Sequence, residues 1–202
     1  DDGRTRALLC MGRAHTCVVL AGGGVSCWTR GARRPHGVLL DVAVREVHCG
    51  DEHTCAITSY FDVRCWGANE HAQLGVPGEG RGVVLVPLGG MVVALSATGN
   101  RTCAAVQPSP GQTDVKCWGS ERHRVLGQSD TAEYVYAQSA KSIPLRDKGA
   151  GAVTRVTLAR NHACALFDDG RVKCWGLLAL LGVGQGTLGA STARGLAWDT
   201  LD

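Results

Sequence analysis

Short runs of this chain alternate apolar and polar residues with a period of two, and turn-forming residues interrupt each run after about six positions. Cys55 and Ile57 alternate with Thr54 and Ala56, and Val63 and Cys65 alternate with Arg64 and Trp66. A period of two puts successive side chains on opposite faces of a β-strand. The run through Val42, Val44 and Val47 predicts a strand ending near Cys49-Gly50. A turn at Gly50-Asp51-Glu52, a strand His53–Thr58, a turn Ser59–Asp62 and a strand Val63–Gly67 follow, and the tail Ala68–Gly75 closes the unit.

The same pattern returns four times. It reads HTCVVLAGGGVSCW at 15–28, HTCAITSYFDVRCWG at 53–67, RTCAAVQPSPGQTDVKCWG at 101–119 and HACALFDDGRVKCWG at 162–176. Repetition at this spacing predicts a repeat architecture. Nine residues lie between Cys17 and Cys27, between Cys55 and Cys65, and between Cys164 and Cys174. Thirteen lie between Cys103 and Cys117, and the extra four fall in the Pro/Gly stretch Gln107–Thr113, expected to lengthen the hairpin loop without moving its stems. In a tight hairpin such cysteines stand opposite one another, with Cβ atoms ~4.5–5.5 Å apart. Four hairpin disulfides are therefore expected: Cys17–Cys27, Cys55–Cys65, Cys103–Cys117 and Cys164–Cys174.

Composition narrows the class. Ten cysteines in 202 residues point to an oxidising compartment, so a secreted or cell-surface location is expected. A metal site is the minor competing reading. No C-x2-C occurs, although a His and Cys two positions apart, as in His53 and Cys55, would share a strand face. Four of the five tryptophans fall in the repeated Cys-Trp pair, and 28 glycines suit many tight turns. A net charge of +3 gives no argument for nucleic acid. The chain begins Asp1-Asp2 without an initiator Met, which is expected of a processed or excised chain. Its longest apolar run, Leu177–Leu181, is far too short to enter and span a bilayer.

These motifs resemble those of the regulator-of-chromosome-condensation repeat family. The family pattern of Gly, His-(Thr/Ser)-x-Ala-(Leu/Ile/Val), hairpin, Trp-Gly, Asn and Gln-Leu-Gly is met by Gly50, His53, Ala56, Ile57, Trp66, Gly67, Asn69, Gln73, Leu74 and Gly75. The fourth repeat meets it with His162, Ala165, Leu166, Gly170, Trp175 and Gly176. The cysteine-bearing form is similar to secreted and cell-surface members, among them bacterial exported proteins and crinkly-type plant receptor ectodomains. Departures are Thr29 after Trp28, Arg101 in the His position, and Thr98 and Ala159 where Gly would stand. The resemblance implies an all-β fold: a β-propeller of four-stranded antiparallel blades in a single domain over residues 1–202. Four blades are recognisable, near 7–37, 42–75, 91–127 and 153–189, with insertions at 76–90 and 128–152 where specific binding is expected. Family members usually close a ring of seven, so these four are expected to form an incomplete ring or part of a larger propeller. Its open ends would then be covered by more of the same polypeptide or by another chain. The two remaining cysteines, Cys10 and Cys49, would lie on neighbouring inner strands and are expected to pair.

Candidate chemistry is sparse. His15, His53 and His162 recur at one motif position, which argues for a structural role, and Trp28, Trp66, Trp118 and Trp175 are expected to pack between blades. Arg30, Arg33, Arg34 and His36 form a basic cluster read as a solvated loop. Asn100-Arg101-Thr102 is an N-glycosylation sequon, so a glycan at Asn100 is expected only in a eukaryotic secretory setting. Asp168-Asp169-Gly170 suits a hairpin tip. No nucleophile–base–orienter set, G-x-S-x-G, H-E-x-x-H or Walker loop occurs. The expectation is a non-catalytic extracellular structural or protein-binding module without cofactor or catalytic residues, with other protein as its partner. The alternative is a protein inhibitor or ligand-sensing ectodomain that uses loops on one face of the propeller. Fold alone does not choose between them.

Overall fold

The computed structural model describes residues 7–80, 82–121, 126, 133–143, 145 and 151–176, and the backbone of 197–199. The alternating runs form four antiparallel four-stranded sheets, one per repeat. The first blade holds β1 (Leu9–Met11), β2 (His15–Val19), β3 (Val25–Thr29) and β4 (His36–Val38). The second holds β5 (Val44–Cys49), β6 (His53–Thr58), β7 (Val63–Gly67) and β8 (Val84–Leu85). The third holds β9 (Met91–Thr98), β10 (Arg101–Ser109), β11 (Gln112–Ser120) and β12 (Tyr134–Val135). The fourth holds β13 (Val153–Leu158), β14 (His162–Phe167), β15 (Val172–Gly176) and β16 (Ala197–Asp199). Strands expected at His53–Thr58 and Val63–Gly67 have those limits.

Within each sheet the order follows the chain. The first strands of successive blades lie against one another, β1 on β5, β5 on β9 and β9 on β13, so the blades fan out from this inner row. Among the described residues, blades pack on their neighbours in chain order, and no strand of the first blade packs on the fourth to a comparable extent. One apolar core lies in each of the three seams. Val44, Val47 and Ala56 meet Cys17, Val25 and Cys27 in the first. Leu74, Val86, Leu88, Val92 and Trp118 fill the second. Val115, Leu126, Ile143, Val156, Phe167 and Trp175 fill the third.

Three expectations are corrected. The four extra residues between Cys103 and Cys117 extend the strands rather than the loop: β10 and β11 run out to a Ser109↔Gln112 pair, with a bulge between Val106 and Ser109. The stems are unmoved, because Cys103 still faces Cys117. The stretches 76–90 and 128–152 are also more than loops. They supply the outer strands β8 and β12 and core residues Val86, Leu88, Ala137, Ala140, Ile143 and Leu145. The outer strand of the fourth blade comes from 197–199, past the limit of 189 expected for it. Leu177–Leu181 lies outside the described residues; among the described residues no helix is long and apolar enough to cross a membrane.

Candidate binding surfaces at the blade seams

Strand register gives each blade two different faces. One row carries the hairpin cysteines, Cys17↔Cys27, Cys55↔Cys65, Cys103↔Cys117 and Cys164↔Cys174. All four pairs are disulfides, with Cα atoms 4.0–4.1 Å apart. The next row faces the opposite way and pairs a small residue with the repeated tryptophan: Thr16↔Trp28, Thr54↔Trp66, Thr102↔Trp118 and Ala163↔Trp175. The cysteine face of one blade meets the Thr/Trp face of the next, since Cys17 Sγ lies 3.6 Å from Thr54 Oγ1 and Cys55 Sγ lies 3.8 Å from Thr102 Oγ1.

The recurrent histidines bridge this joint. His15 Nε2 is 2.8 Å from Thr54 Oγ1, and His53 Nε2 is 2.9 Å from Thr102 Oγ1. The Thr102 hydroxyl donates to the Gln73 carbonyl at 3.3 Å, so it accepts from His53 Nε2–H, which fixes the tautomer. Burial, with a smaller repulsion from His15, drives the His53 pKa down to about 3; burial also lowers that of His15, against its hydrogen bonds to the His53 and Asp51 backbone carbonyls. Glycine three positions before each ring is a steric need. A Cβ on Gly12 would stand 2.3 Å from the His15 ring, and one on Gly50 would stand 2.0 Å from the His53 ring.

The third repeat departs in a coordinated way. Its His position is Arg101, the residue three before is Thr98, and the next blade offers Ala163 in place of a threonine. With no hydroxyl to meet, Arg101 donates from Nε to the Ser120 carbonyl at 2.7 Å and from Nη1 to the Arg160 carbonyl at 2.5 Å, joining the third blade to the fourth through backbone.

Repeat tails plug two of the seams. In the second, Asn69 donates to the Val76 and Gly78 carbonyls and accepts from Leu74 N–H, folding 69–78 into a compact loop. That loop delivers the Gln73 carbonyl to Trp118 Nε1–H at 3.0 Å and buries Leu74 completely. Leu126 is equally buried in the third seam. The tail of the first repeat, TRGARRP at 29–35, has no such motif and is exposed throughout. The first seam is therefore open, with a cavity of about 380 Å³ lined by His15, Arg30, His36, Glu52, Thr54 and Trp66 among others. A disulfide between Cys10 and Cys49, with Cα atoms 5.4 Å apart, ties its two walls together. His15 lies beside Cys17 and Cys49, with ligand atoms within 4.8 Å of one another, but both sulfurs are spent in disulfides and only the imidazole is left to coordinate.

Other expected sites scatter. Of the basic cluster, Arg30 and His36 line the first-seam cavity, while Arg33 and Arg34 are exposed. Asn100 is half-buried in the turn between β9 and β10, and Thr102 of its sequon is buried against His53. At the β14–β15 tip, hydrogen bonds from Arg171 hold the Asp169 carboxyl down to about 2, and Gly170 takes φ +86°, as a turn requires. The seam threonines and the Gln73 carbonyl are not among the site residues that the motifs single out. The only signal for the threonines is the Thr of His-Thr-Cys, and its partner lies in another repeat.

Residues 44–73 and 153–177 match the family model of the regulator of chromosome condensation (RCC1) repeat. Two of the four repeats thus match the RCC1 repeat. It is 26% identical over 190 residues to the ultraviolet-B receptor UVR8 of Arabidopsis thaliana, covering 84% of this chain and 41% of UVR8. Prp20p of Saccharomyces cerevisiae, studied for its binding to Gsp1p and histones, superimposes on 96% of this chain and 50% of its own, with a TM-score of 0.71 at 18% identity. The ectodomain of the Arabidopsis thaliana receptor kinase ACR4 matches 83% of this chain and 51% of its own, with a TM-score of 0.53 at 20% identity. The chain thus spans about half of these solved structures, and 41% of UVR8. Yeast RCC1 (Prp20) has also been solved bound to another protein, Kap60.

Proposed function

We propose that this chain is a non-catalytic, extracellular protein-binding arc of four blades, completed at its ends by further blades of the same polypeptide or of another chain. The carrying observation is the uncovered Thr/Trp face of the first blade. Trp28 is 42% exposed, whereas its counterparts Trp118 and Trp175 are 0% and 4% exposed. Met11, Thr16 and Trp28 form one cross-strand row on that face. Among the described residues the Thr16 hydroxyl has no hydrogen-bond partner, although Thr54 and Thr102 each meet a histidine. The far end is complementary. His162 and the Cys164–Cys174 disulfide lie on the outward face of the fourth blade and are only half-buried, while the other six hairpin cysteines are fully buried. A blade offering a motif His and a cysteine face fits the first end, and one offering Thr and Trp fits the second.

Pairing of all ten cysteines supports an oxidising compartment, because a cytosolic or nuclear thiol pool would keep them reduced. In a eukaryotic host, the part-exposed Asn100 is the position to examine for a glycan. Sedimentation velocity over a dilution series tests the reading. The intact oxidised chain is expected to self-associate through its ends, and Trp28→Glu is expected to abolish association without altering the far-ultraviolet circular dichroism. A monomer at all concentrations, unchanged by that substitution, would contradict it.

A further inference from the structure

The second seam shows what the Thr/Trp pair does when its seam is filled. One carbonyl oxygen, that of Gln73, accepts from Trp118 Nε1–H at 3.0 Å and from the Thr102 hydroxyl at 3.3 Å. The threonine proton is aimed there because His53 Nε2 occupies the other side of Oγ1 at 2.9 Å. The first seam repeats this arrangement without the carbonyl. Thr54 and Trp66 are cross-strand partners in the same register as Thr102 and Trp118, and His15 Nε2 holds Thr54 Oγ1 at 2.8 Å. Among the described residues, the Trp66 indole has no hydrogen-bond partner, and the Thr54 hydroxyl otherwise meets only the Cys17 and Cys49 sulfurs, at 3.6 and 3.7 Å. Both side chains line the cavity of about 380 Å³. That volume falls within the range of ligand pockets.

We propose that the first seam is a peptide-binding site, in which Trp66 Nε1–H and the Thr54 hydroxyl donate to one backbone carbonyl of a short segment from another protein. The segment class is read from the chain itself, since residues 69–75 fill the equivalent space one seam later, carbonyl first and a buried leucine next. Charge favours a neutral group over an anion, because Arg30 and His36 on one wall face Asp51 and Glu52 on the other. Arg13 already pairs with Glu52 at the rim. The site is preformed, with both walls belonging to this chain and the Cys10–Cys49 disulfide joining them, so binding there does not depend on what covers the ends of the arc.

The test uses the intact oxidised chain and a blocked synthetic peptide of residues 68–75, Ala-Asn-Glu-His-Ala-Gln-Leu-Gly, in linear and backbone-cyclised forms. Titration is followed by the five indole N–H resonances in a proton–nitrogen correlation spectrum, with Trp66 assigned through Trp66→Phe. The expected result is a saturable downfield shift of the Trp66 indole N–H with Trp118 and Trp175 unmoved. Calorimetry is expected to show roughly tenfold weaker binding for Thr54→Val and for Trp66→Phe, the loss of about one hydrogen bond. An unmoved Trp118 resonance in each variant shows that the fold is intact. No saturable shift with either peptide form would overturn the proposal, as would binding that both variants leave unchanged or a shift confined to Trp28. Saturation by an N-acetylglucosamine oligomer but not by peptide would also overturn it, in favour of a glycan.

Discussion

His53 is held neutral because its ring is packed between two blades, and that has a consequence with a definite sign. Its pKa is near 6.5 in an unfolded chain and about 3 when folded. Between these values the unfolded chain binds the extra proton, so stability rises with pH there. The contribution is complete above pH ~6.5 and is lost as pH falls toward 3, with a slope of at most about 1.4 kcal/mol per pH unit. Urea unfolding midpoints should therefore drop between pH 7 and pH 4.5. His53→Gln should flatten this dependence in part, the remainder coming from His15, whose pKa burial also lowers. Parallel pH profiles for the two proteins would contradict the assignment. Gly50→Ala puts a Cβ 2.0 Å from the His53 ring and 2.6 Å from the Gly99 carbonyl, and is expected to cost at least about 2 kcal/mol in denaturant unfolding. Gly24→Ala, with nothing within 4 Å, is the control and should stay within about 0.5 kcal/mol of the parent.

Elements show which features can be read along the chain. Strands and hairpin disulfides follow from local spacing, so β6, β7 and the opposed cysteines are legible in the alternation and the cysteine intervals alone. The His–Thr joints are not, because the partners stand 39 and 49 positions apart and only the blade stacking brings them together. The plug in the second seam is hidden for another reason: its functional atom is a backbone carbonyl. Arg101 reads along the chain as a simple departure from the motif. Its meaning appears only when Ala163 is seen to remove the hydroxyl that a histidine would meet. Arg101→His alone should therefore destabilise the third seam, as two backbone carbonyls lose their donor. Adding Ala163→Thr and Thr98→Gly should restore a favourable His–Thr coupling of about 1 kcal/mol, measured by a mutant cycle on unfolding free energies. Disulfides differ in the same element-dependent way. Loop-closure entropy gives ~4 kcal/mol at most for Cys10–Cys49, which closes 39 positions, against ~2.7 kcal/mol for a hairpin pair closing 10. Removing Cys10 and Cys49 together should lower stability more than removing Cys55 and Cys65 together, provided both variants fold.

Over the whole molecule, burial reads as position in an arc. The second strand of the second blade, β6, is buried at every residue, because blades cover both its faces. In the fourth blade, β14 is fully buried only at alternate residues, on the side facing the third. The first blade shows the reverse side, with Trp28 and Met11 exposed. A four-blade ring would cover both terminal faces. The most direct test is hydroxyl-radical footprinting of the oxidised 202-residue chain, at a concentration where sedimentation shows a monomer, read at single tryptophans by mass spectrometry. Trp28 is expected to be modified readily while Trp118 and Trp175 are protected. Protection of Trp28 to the level of Trp118 in the monomer would mean that the fourth blade covers the first, and the open arc would be wrong.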